Sequence, residues 1–213
     1  MWDYVVARRD EILFSSYQHA SLVLQCVLLA TVIALVVAVL VYRNRHLTSL
    51  AGSTTAIGLT IPSFALLGLL LTWLGFGVAT SVVALTFYAT LPILRNAVVG
   101  LSGVDRGTVE AARGIGMSRA ATLLRVELPL AWPVVLTGIR VSTQMVMGIA
   151  AVAAYVLGPG LGGFIFSGLS RLGGANAVYS TLTGTIFVVV LALLVDLLLV
   201  LVGRLTTSRG IRA

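Results

Sequence analysis

The sequence contains no lysine, and all 14 of its basic residues are arginine. Without lysine the chain can form neither a Walker A phosphate loop nor a Schiff base with a carbonyl substrate. Cys26 is the only cysteine, which excludes internal disulfides and zinc sites built on paired cysteines. The two histidines, His19 and His46, lie in polar flanks and are too few for a metal cluster. We therefore expect no catalytic residue and no metal site in this chain.

Charged residues are also scarce. They make up 10% of the 213 residues, against about 25% in an average soluble domain. Apolar residues make up 59%, and the mean hydropathy is +1.07. A soluble protein of this size needs more polar surface than these residues supply, so the composition predicts an integral membrane protein. The net charge of +7 could indicate nucleic acid or anionic lipid as a partner, but in a membrane protein it more simply sets the topology.

Five long apolar stretches exceed the roughly 20 residues that an α-helix needs to cross about 30 Å of hydrocarbon. None of them alternates between apolar and polar residues, as the strands of a membrane barrel would. The sequence therefore predicts an all-α integral membrane protein, with one transmembrane domain over residues 20–203. Its five spans are expected at residues 20–42, 50–74, 78–99, 131–157 and 177–203.

Arginine is unevenly divided between the two sides of such a five-span protein. Eleven arginines fall on one side and three on the other, and cytoplasmic loops carry the excess. We therefore expect the N-terminus outside, with residues 1–19 as an external or interfacial segment, and residues 204–213 as a cytoplasmic tail. The acidic residues Asp3, Asp10 and Glu11 argue against a cleaved signal peptide at the N-terminus.

Three helix-breaking features lie at membrane depth: Thr60-Ile61-Pro62-Ser63, Pro92 and the glycine-rich loop, residues 158–163. Backbone groups freed by proline or glycine must be satisfied inside protein or in a wet cavity, because lipid cannot bond them. One interpretation is a translocation path lined by broken helices. The alternative is ordinary kinks, since both residue types are common in membrane helices. The candidate path residues are Thr60, Pro62, Ser63, Gly158 and Gly160.

The longest polar stretch, the 100–130 loop, has the pattern of two short helices. Asp105 or Thr108 can cap the first helix, which Gly114 and Gly116 then end. Ser118 can cap a second helix over residues 119–127, which we expect Leu128-Pro129 to end. Two helices joined by a glycine turn make a compact docking element, on which Ala111 and Ala112 would allow another protein to approach closely.

The same loop resembles a known motif. From Glu110 it gives Glu-Ala-Ala, three residues, Gly116, nine residues, Val126, one residue and then Leu128-Pro129. This is similar to the EAA motif of permease subunits of binding-protein-dependent ABC importers, with Val126 in place of the usual Ile. The resemblance implies a coupling helix that sits in a cleft of a cytoplasmic ATPase. It assigns ATPase coupling to Glu110, Ala111, Ala112, Gly114, Gly116, Leu128 and Pro129.

Further segments resemble the osmoprotectant branch of that family, which imports glycine betaine, carnitine, choline, proline betaine and related quaternary amines. One departure is the glycine-rich loop, which in relatives often carries an acidic residue. The similar segments are residues 60–67, 91–96, 114–118, 127–130, 138–140 and 158–168.

The resemblance also implies location and partners. It places the chain in the bacterial inner membrane, in contact with lipid and without nucleic acid. A cytoplasmic ATPase dimer would hold ATP and Mg, and this chain would bind no cofactor itself. A second permease subunit, identical or paralogous, and an external substrate-binding protein would complete the importer.

Two features of the spans stay open at this point. Trp73, Phe76, Phe87 and Tyr88 are expected near the outer face, as interfacial belt residues or, less simply, as a transient substrate site. Asp196 is expected to pair with Arg95 or Arg140, although an intramembrane carboxylate can also be functional.

Three other functions are weighed against the osmoprotectant importer. The first is an importer permease for another small solute, such as an amino acid. An ion-coupled secondary transporter would need several buried acids, and an intramembrane enzyme would need a nucleophile and a base at depth.

Overall fold

The computed structural model describes residues 1–207, which contain ten α-helices and no strand. The all-α prediction is confirmed. The expected tail, residues 204–213, lies mostly outside the described residues, together with Arg209 and Arg212. The helices are α1 (Trp2–Ala7), α2 (Arg9–Val41), α3 (Arg45–Thr60), α4 (Ser63–Leu74), α5 (Val78–Ser102), α6 (Arg106–Gly114), α7 (Arg119–Thr122), α8 (Leu128–Ala153), α9 (Gly162–Leu169) and α10 (Ala177–Thr206).

Four helical stretches of the described chain are long and apolar enough to cross a membrane, and a bent helix pair makes a fifth. The single stretches are α2, α5, the continuous run Arg119–Val156 and α10. The bent pair is α3 and α4, whose axes differ by 90° across Ile61 and Pro62. The five expected apolar stretches lie in these same helices, but the second is divided between two helices of different direction.

Small side chains allow the central helices to pack closely. Ala30, Ala34 and Ala38 recur every four residues along one face of α2 and are fully buried. They belong to the main apolar core, which α2 forms with α5 and α8. Because lipid is as apolar as a protein core, membrane helices associate through such close contacts rather than through the hydrophobic effect. The alanine face of α2 therefore fixes its position in the bundle.

Pro92 does not break α5, contrary to the expectation for this position. The helix runs unbroken from Val78 to Ser102. Proline removes one backbone donor and disturbs the preceding turn, and neighbouring side chains can satisfy the carbonyls that this frees. The carbonyl that loses its donor is that of Tyr88, and beside it the Ser142 hydroxyl of α8 donates to the Ala89 carbonyl oxygen at 2.7 Å. The interior of the bundle therefore tolerates the proline.

The outermost helix, α10, is held to α8 by polar contacts. Arg140 donates to both carboxylate oxygens of Asp196, at 3.0 and 2.9 Å, which confirms the expected pair and selects Arg140 over Arg95. Near the C-terminal end of α10, the Trp132 indole donates to the Thr206 hydroxyl at 2.8 Å. A two-pronged arginine–carboxylate pair neutralises both charges, so Asp196 is a structural contact in this fold.

Candidate functional site

The 100–130 loop begins with a capped helix. The Asp105 carboxylate accepts the Thr108 N–H at 2.8 Å, so Asp105 rather than Thr108 caps α6. The chain then reverses at Gly116, whose φ of +89° is the left-handed conformation that favours glycine. The Ser118 hydroxyl accepts the Ala121 N–H at 3.2 Å and caps α7. The predicted caps and the glycine turn are therefore confirmed, and the loop folds as a compact element.

The candidate coupling residues of this element differ in exposure. Glu110, Ala111, Gly114, Gly116 and Pro129 are exposed, and Leu128 is half-buried. Ala112 is 7% exposed and packs inside the element, so it supports α6 and does not offer a surface to a partner. The small surface is therefore formed by Ala111 and the two exposed glycines.

The expectation that Leu128-Pro129 ends the second helix is wrong. The chain stays helical from Arg119 to Val156, and residues 123–127 widen into a π-helical turn before α8 begins at Leu128. A proline collides with the carbonyl four residues earlier, here that of Arg125, and lacks a donor. A wider turn at that point relieves the collision, and π-turns often mark functional positions. One continuous helix therefore leads from the 100–130 loop through the membrane.

Glu127 anchors this loop to the end of α2, a contact for which the sequence carries no signal. Its side chain is buried, with 4% exposure. The Tyr42 hydroxyl donates to the carboxylate at 2.7 Å, and the Arg43 guanidinium donates to it at 3.1 and 3.4 Å. A buried charge requires such partners, because desolvation would otherwise be costly. We call these three residues the Glu127 anchor; Arg43 and Glu127 are 84 positions apart in sequence.

A cavity of about 480 Å³ lies between the α2–α3 connection and the loop. Its charged lining is mostly basic, and Glu127 is already neutralised by Arg43. Within residues 1–207, the three other lining arginines have no ion pair, and Glu110 also has none. The cavity wall is therefore positively charged. Those arginines are Arg45, Arg106 and Arg113.

The first group of candidate path residues lies at the break between α3 and α4. Thr60 and Pro62 are exposed and Ser63 is half-buried. The Tyr88 hydroxyl donates to the Ile61 carbonyl oxygen at 2.6 Å and satisfies one backbone acceptor at the break. Tyr88 is only 3% exposed, so neither role considered for it, a belt residue or a substrate contact, applies to it.

The second group, Gly158 and Gly160, lies in the glycine-rich loop after α8. Gly160 has a φ of +123° and passes directly over His19, so that an added β-carbon would be 2.8 Å from the His19 Nδ1 atom. His19 is fully buried in α2, and the prediction that it lies in a polar flank is wrong. Its Nε2 atom is 3.1 Å from the Met147 carbonyl oxygen, while Nδ1 has no partner within the described residues. No sequence pattern could have placed this loop on α2.

The two breaks adjoin each other. The rings of Phe64, just after Pro62, and Tyr155, just before the glycine-rich loop, have centroids 4.6 Å apart. The candidate path residues, predicted from separate parts of the sequence, are therefore neighbours at one end of the bundle. The structure does not bring them near the 100–130 loop, to which only the continuous helix connects them.

Comparisons with known proteins agree with these features. Residues 30–208 match the family described as binding-protein-dependent transport system inner membrane component. The chain is 36% identical to the choline transport system permease protein OpuBB of Bacillus subtilis (strain 168), over 95% of this chain and 91% of that protein. It is 32% identical to the glycine betaine/carnitine/choline transport system permease protein OpuCB of the same bacterium, over 100% and 96%. A chain of the MetNI methionine ABC transporter, solved in an inward-facing conformation, shares the fold with a TM-score of 0.79 at 22% identity, over 92% of this chain and 96% of that chain.

The contact between Gly160 and His19 predicts a stability effect. Gly160→Ala places a β-carbon against His19 and forces alanine into a conformation that only glycine adopts easily. We expect the free energy of unfolding to fall by about 2–3 kcal/mol, measured by thermal unfolding of the purified protein in detergent. Gly163→Ala is the matched control, because Gly163 is helical and a β-carbon added there would have no atom within 4 Å. Equal stability of the two variants would contradict the contact.

Proposed function

Because the chain belongs to the binding-protein-dependent transport system inner membrane component family, we propose that it is the permease of an ABC importer for small quaternary ammonium solutes. Choline, glycine betaine and carnitine are the solutes in the names of its relatives. The observation that carries the proposal is the 100–130 loop, which folds as a rigid, capped element with an exposed small-residue surface. Such a surface suits docking in a cleft of an ATPase.

Energy for transport comes from a separate chain in this proposal. Importers of this family are multi-subunit systems, in which ATP and Mg belong to the partner ATPase and an external protein delivers the solute. This chain lacks lysine and so lacks the Walker A residue that holds the β- and γ-phosphates. It therefore acts as a non-catalytic transport subunit. A second permease, identical or paralogous, completes the path, and lipid surrounds the pair.

The proposed mechanism is mechanical. ATP-driven closure of the ATPase dimer moves the 100–130 loop of each permease. The Glu127 anchor holds each loop to α2, and the continuous helix Arg119–Val156 carries the movement across the membrane. At its far end this helix meets the glycine-rich loop and, through the Phe64–Tyr155 contact, the α3–α4 break. Rocking of the helices then alternates access between the two sides of the membrane.

The geometry gives little support to the rival functions. An ion-coupled transporter needs free carboxylates inside the membrane, but both carboxylate oxygens of Asp196 already accept hydrogen bonds from Arg140. An amino-acid importer would share the fold of the methionine transporter, yet that likeness concerns the fold alone. The quaternary-amine proposal has the support of relatives above 30% identity over nearly the whole chain.

The proposed docking surface is tested by Ala111→Trp, which places a bulky ring on the exposed face of α6. The permease is co-expressed with its ATPase and binding protein, and ATP-driven choline uptake is measured in proteoliposomes. We expect the wild type to import choline. In the variant, the amount of ATPase that copurifies with the permease should fall about tenfold and uptake should be lost, because a loss of about 1.4 kcal/mol in binding free energy lowers the affinity tenfold.

Ala175→Trp is the control for ring size, because Ala175 is also exposed but lies in the loop between α9 and α10. It should leave ATPase binding unchanged. Wild-type uptake that needs a proton or sodium gradient and no ATPase would overturn the proposed function. An ATPase that binds Ala111→Trp normally would overturn the docking surface alone.

The proposed orientation, with the N-terminus outside and the 100–130 loop in the cytoplasm, is tested by cysteine labelling. Cys26 is 1% exposed, and Cys26→Ala removes the only native thiol. In that background Ile115→Cys reports on the loop and Leu172→Cys on the opposite end, at sites 83% and 72% exposed. A membrane-impermeant maleimide added to intact spheroplasts should label only Leu172→Cys, and both after the membrane is opened. Labelling of Ile115→Cys in intact spheroplasts would reverse the orientation.

A further inference from the structure

The chain offers a crossing cation no free carboxylate within the membrane. Of its seven acidic residues, Asp196 is the only one inside the apolar stretches predicted from the sequence. Both oxygens of Asp196 are bound by Arg140, at 3.0 and 2.9 Å. A positively charged headgroup therefore needs another source of attraction from this chain, and in a low-dielectric environment the faces of aromatic rings provide one.

Three aromatic rings meet where the candidate path residues meet. Phe64, Tyr155 and Phe166 form what we call the aromatic cluster. The centroids of Phe64 and Tyr155 are 4.6 Å apart with planes inclined at 50°, and those of Tyr155 and Phe166 are 5.9 Å apart at 48°. Rings this close leave no space for a cation between them. Because their planes are inclined, however, neighbouring rings form a V-shaped cleft on the exposed side of the cluster. A methylated ammonium group resting in such a cleft contacts two ring faces at once.

Each ring of the cluster comes from a segment that is not a continuous membrane-spanning helix. Phe64 follows Pro62 at the start of α4, and Tyr155 lies in a 3₁₀ turn that ends at Leu157, a residue in the left-handed conformation. Phe166 lies in the eight-residue helix α9, which is too short to cross the membrane. The cluster is therefore built from the segments that depart from regular spans.

The exposed side of the cluster does not suit contact with lipid. Phe64 is 49% and Tyr155 is 51% exposed, and the adjacent Ile61 and Pro62 are exposed as well. Where α3 stops and α4 starts, the last carbonyls and first amides lose the intrahelical partners of a continuous helix. Hydrocarbon cannot bond these groups, so an exposed break at membrane depth faces a wet cavity or protein. The rings beside it share that environment.

We propose that Phe64, Tyr155 and Phe166 form a transient binding site for the quaternary ammonium headgroup of the solute in the translocation path. The proposal rests on the proposed function, which supplies the solute class. A quaternary ammonium group has no N–H to donate, so it is recognised by ring faces and not by hydrogen bonds. Contact with open faces, without an enclosing cage, binds weakly, which suits a solute that must move on.

Two other ring pairs in the described part of the chain are less suitable. Tyr4 and Tyr179 have centroids 6.3 Å apart, but the Arg8 guanidinium already lies 5.2 Å from the centre of the Tyr4 ring. In the Phe87–Tyr88 pair, Tyr88 is buried and its hydroxyl is bonded to Ile61. The aromatic cluster, in contrast, has exposed ring faces that also lie beside the two breaks.

The test uses the complete importer in proteoliposomes, with its own ATPase and binding protein, and measures choline uptake. We expect Tyr155→Leu and Phe64→Leu each to lower the maximal uptake rate about fivefold, the size of one moderate cation–π contact. The choline concentration for half-maximal uptake should not change, because the binding protein captures the solute. Tyr155→Phe keeps the ring and should retain the wild-type rate. Phe14→Leu is the control, since Phe14 of α2 is an exposed aromatic residue with no ring neighbour within the described residues.

A fluorinated series separates ring electrostatics from packing. Phenylalanine with one, two or three ring fluorines at position 64 keeps the shape of the side chain while it weakens the negative face. We expect the maximal rate to fall stepwise with each fluorine. A rate independent of fluorination, or equal losses in Tyr155→Leu and Phe14→Leu, would overturn the aromatic site and leave the proposed function standing. A wild-type importer that carries no quaternary amine with ATP would overturn both.

Discussion

Glu127 is an acidic residue with 4% exposure, and two residues from the end of α2 hold its charge: the Tyr42 hydroxyl at 2.7 Å and the Arg43 guanidinium at 3.1 Å. This anchor determines what the 100–130 loop can do. A loop attached only through flexible ends would move without moving the bundle. Because Glu127 is bonded to the end of α2 and is continuous with α8, a displacement of the loop would act on two of the helices that form the main core. Because packed cores are bistable and not continuously deformable, such a displacement favours a switch between two arrangements.

The second constraint comes from the bilayer, where every backbone polar group needs a partner. The chain meets it in two different ways. At Pro92 the neighbouring Ser142 supplies a hydrogen bond, and α5 stays straight enough to remain one helix. At Pro62 the helix turns by 90° and the break stays exposed. An exposed break at membrane depth requires a wet or proteinaceous surrounding, because hydrocarbon cannot bond its backbone groups. The aromatic cluster lies beside that break.

How far the sequence predicts this structure depends on the range of the interaction. Apolar stretches, the caps Asp105 and Ser118, and the turn at Gly116 follow from local patterns, which predict them correctly. The EAA spacing points to the family. Contacts between distant residues are out of reach: the neighbours of His19 are polar in sequence, yet Gly160 covers it in the fold. Local rules also fail at Pro129, where the π-turn at residues 123–127 absorbs the proline that is expected to end the helix.

The central claim is that the Glu127 anchor transmits force from the ATPase to the membrane helices, and the ratio of ATP hydrolysed to solute imported tests it most directly. Glu127→Ala leaves the exposed surface of α6 intact, so the ATPase should still bind and hydrolyse ATP. We predict that the ratio rises at least about fivefold, within the range of coupling energies for residues between two sites. Glu11→Ala, which removes an exposed glutamate paired with Arg8, should keep the wild-type ratio. An unchanged ratio in Glu127→Ala, with the importer fully assembled, would contradict the claim.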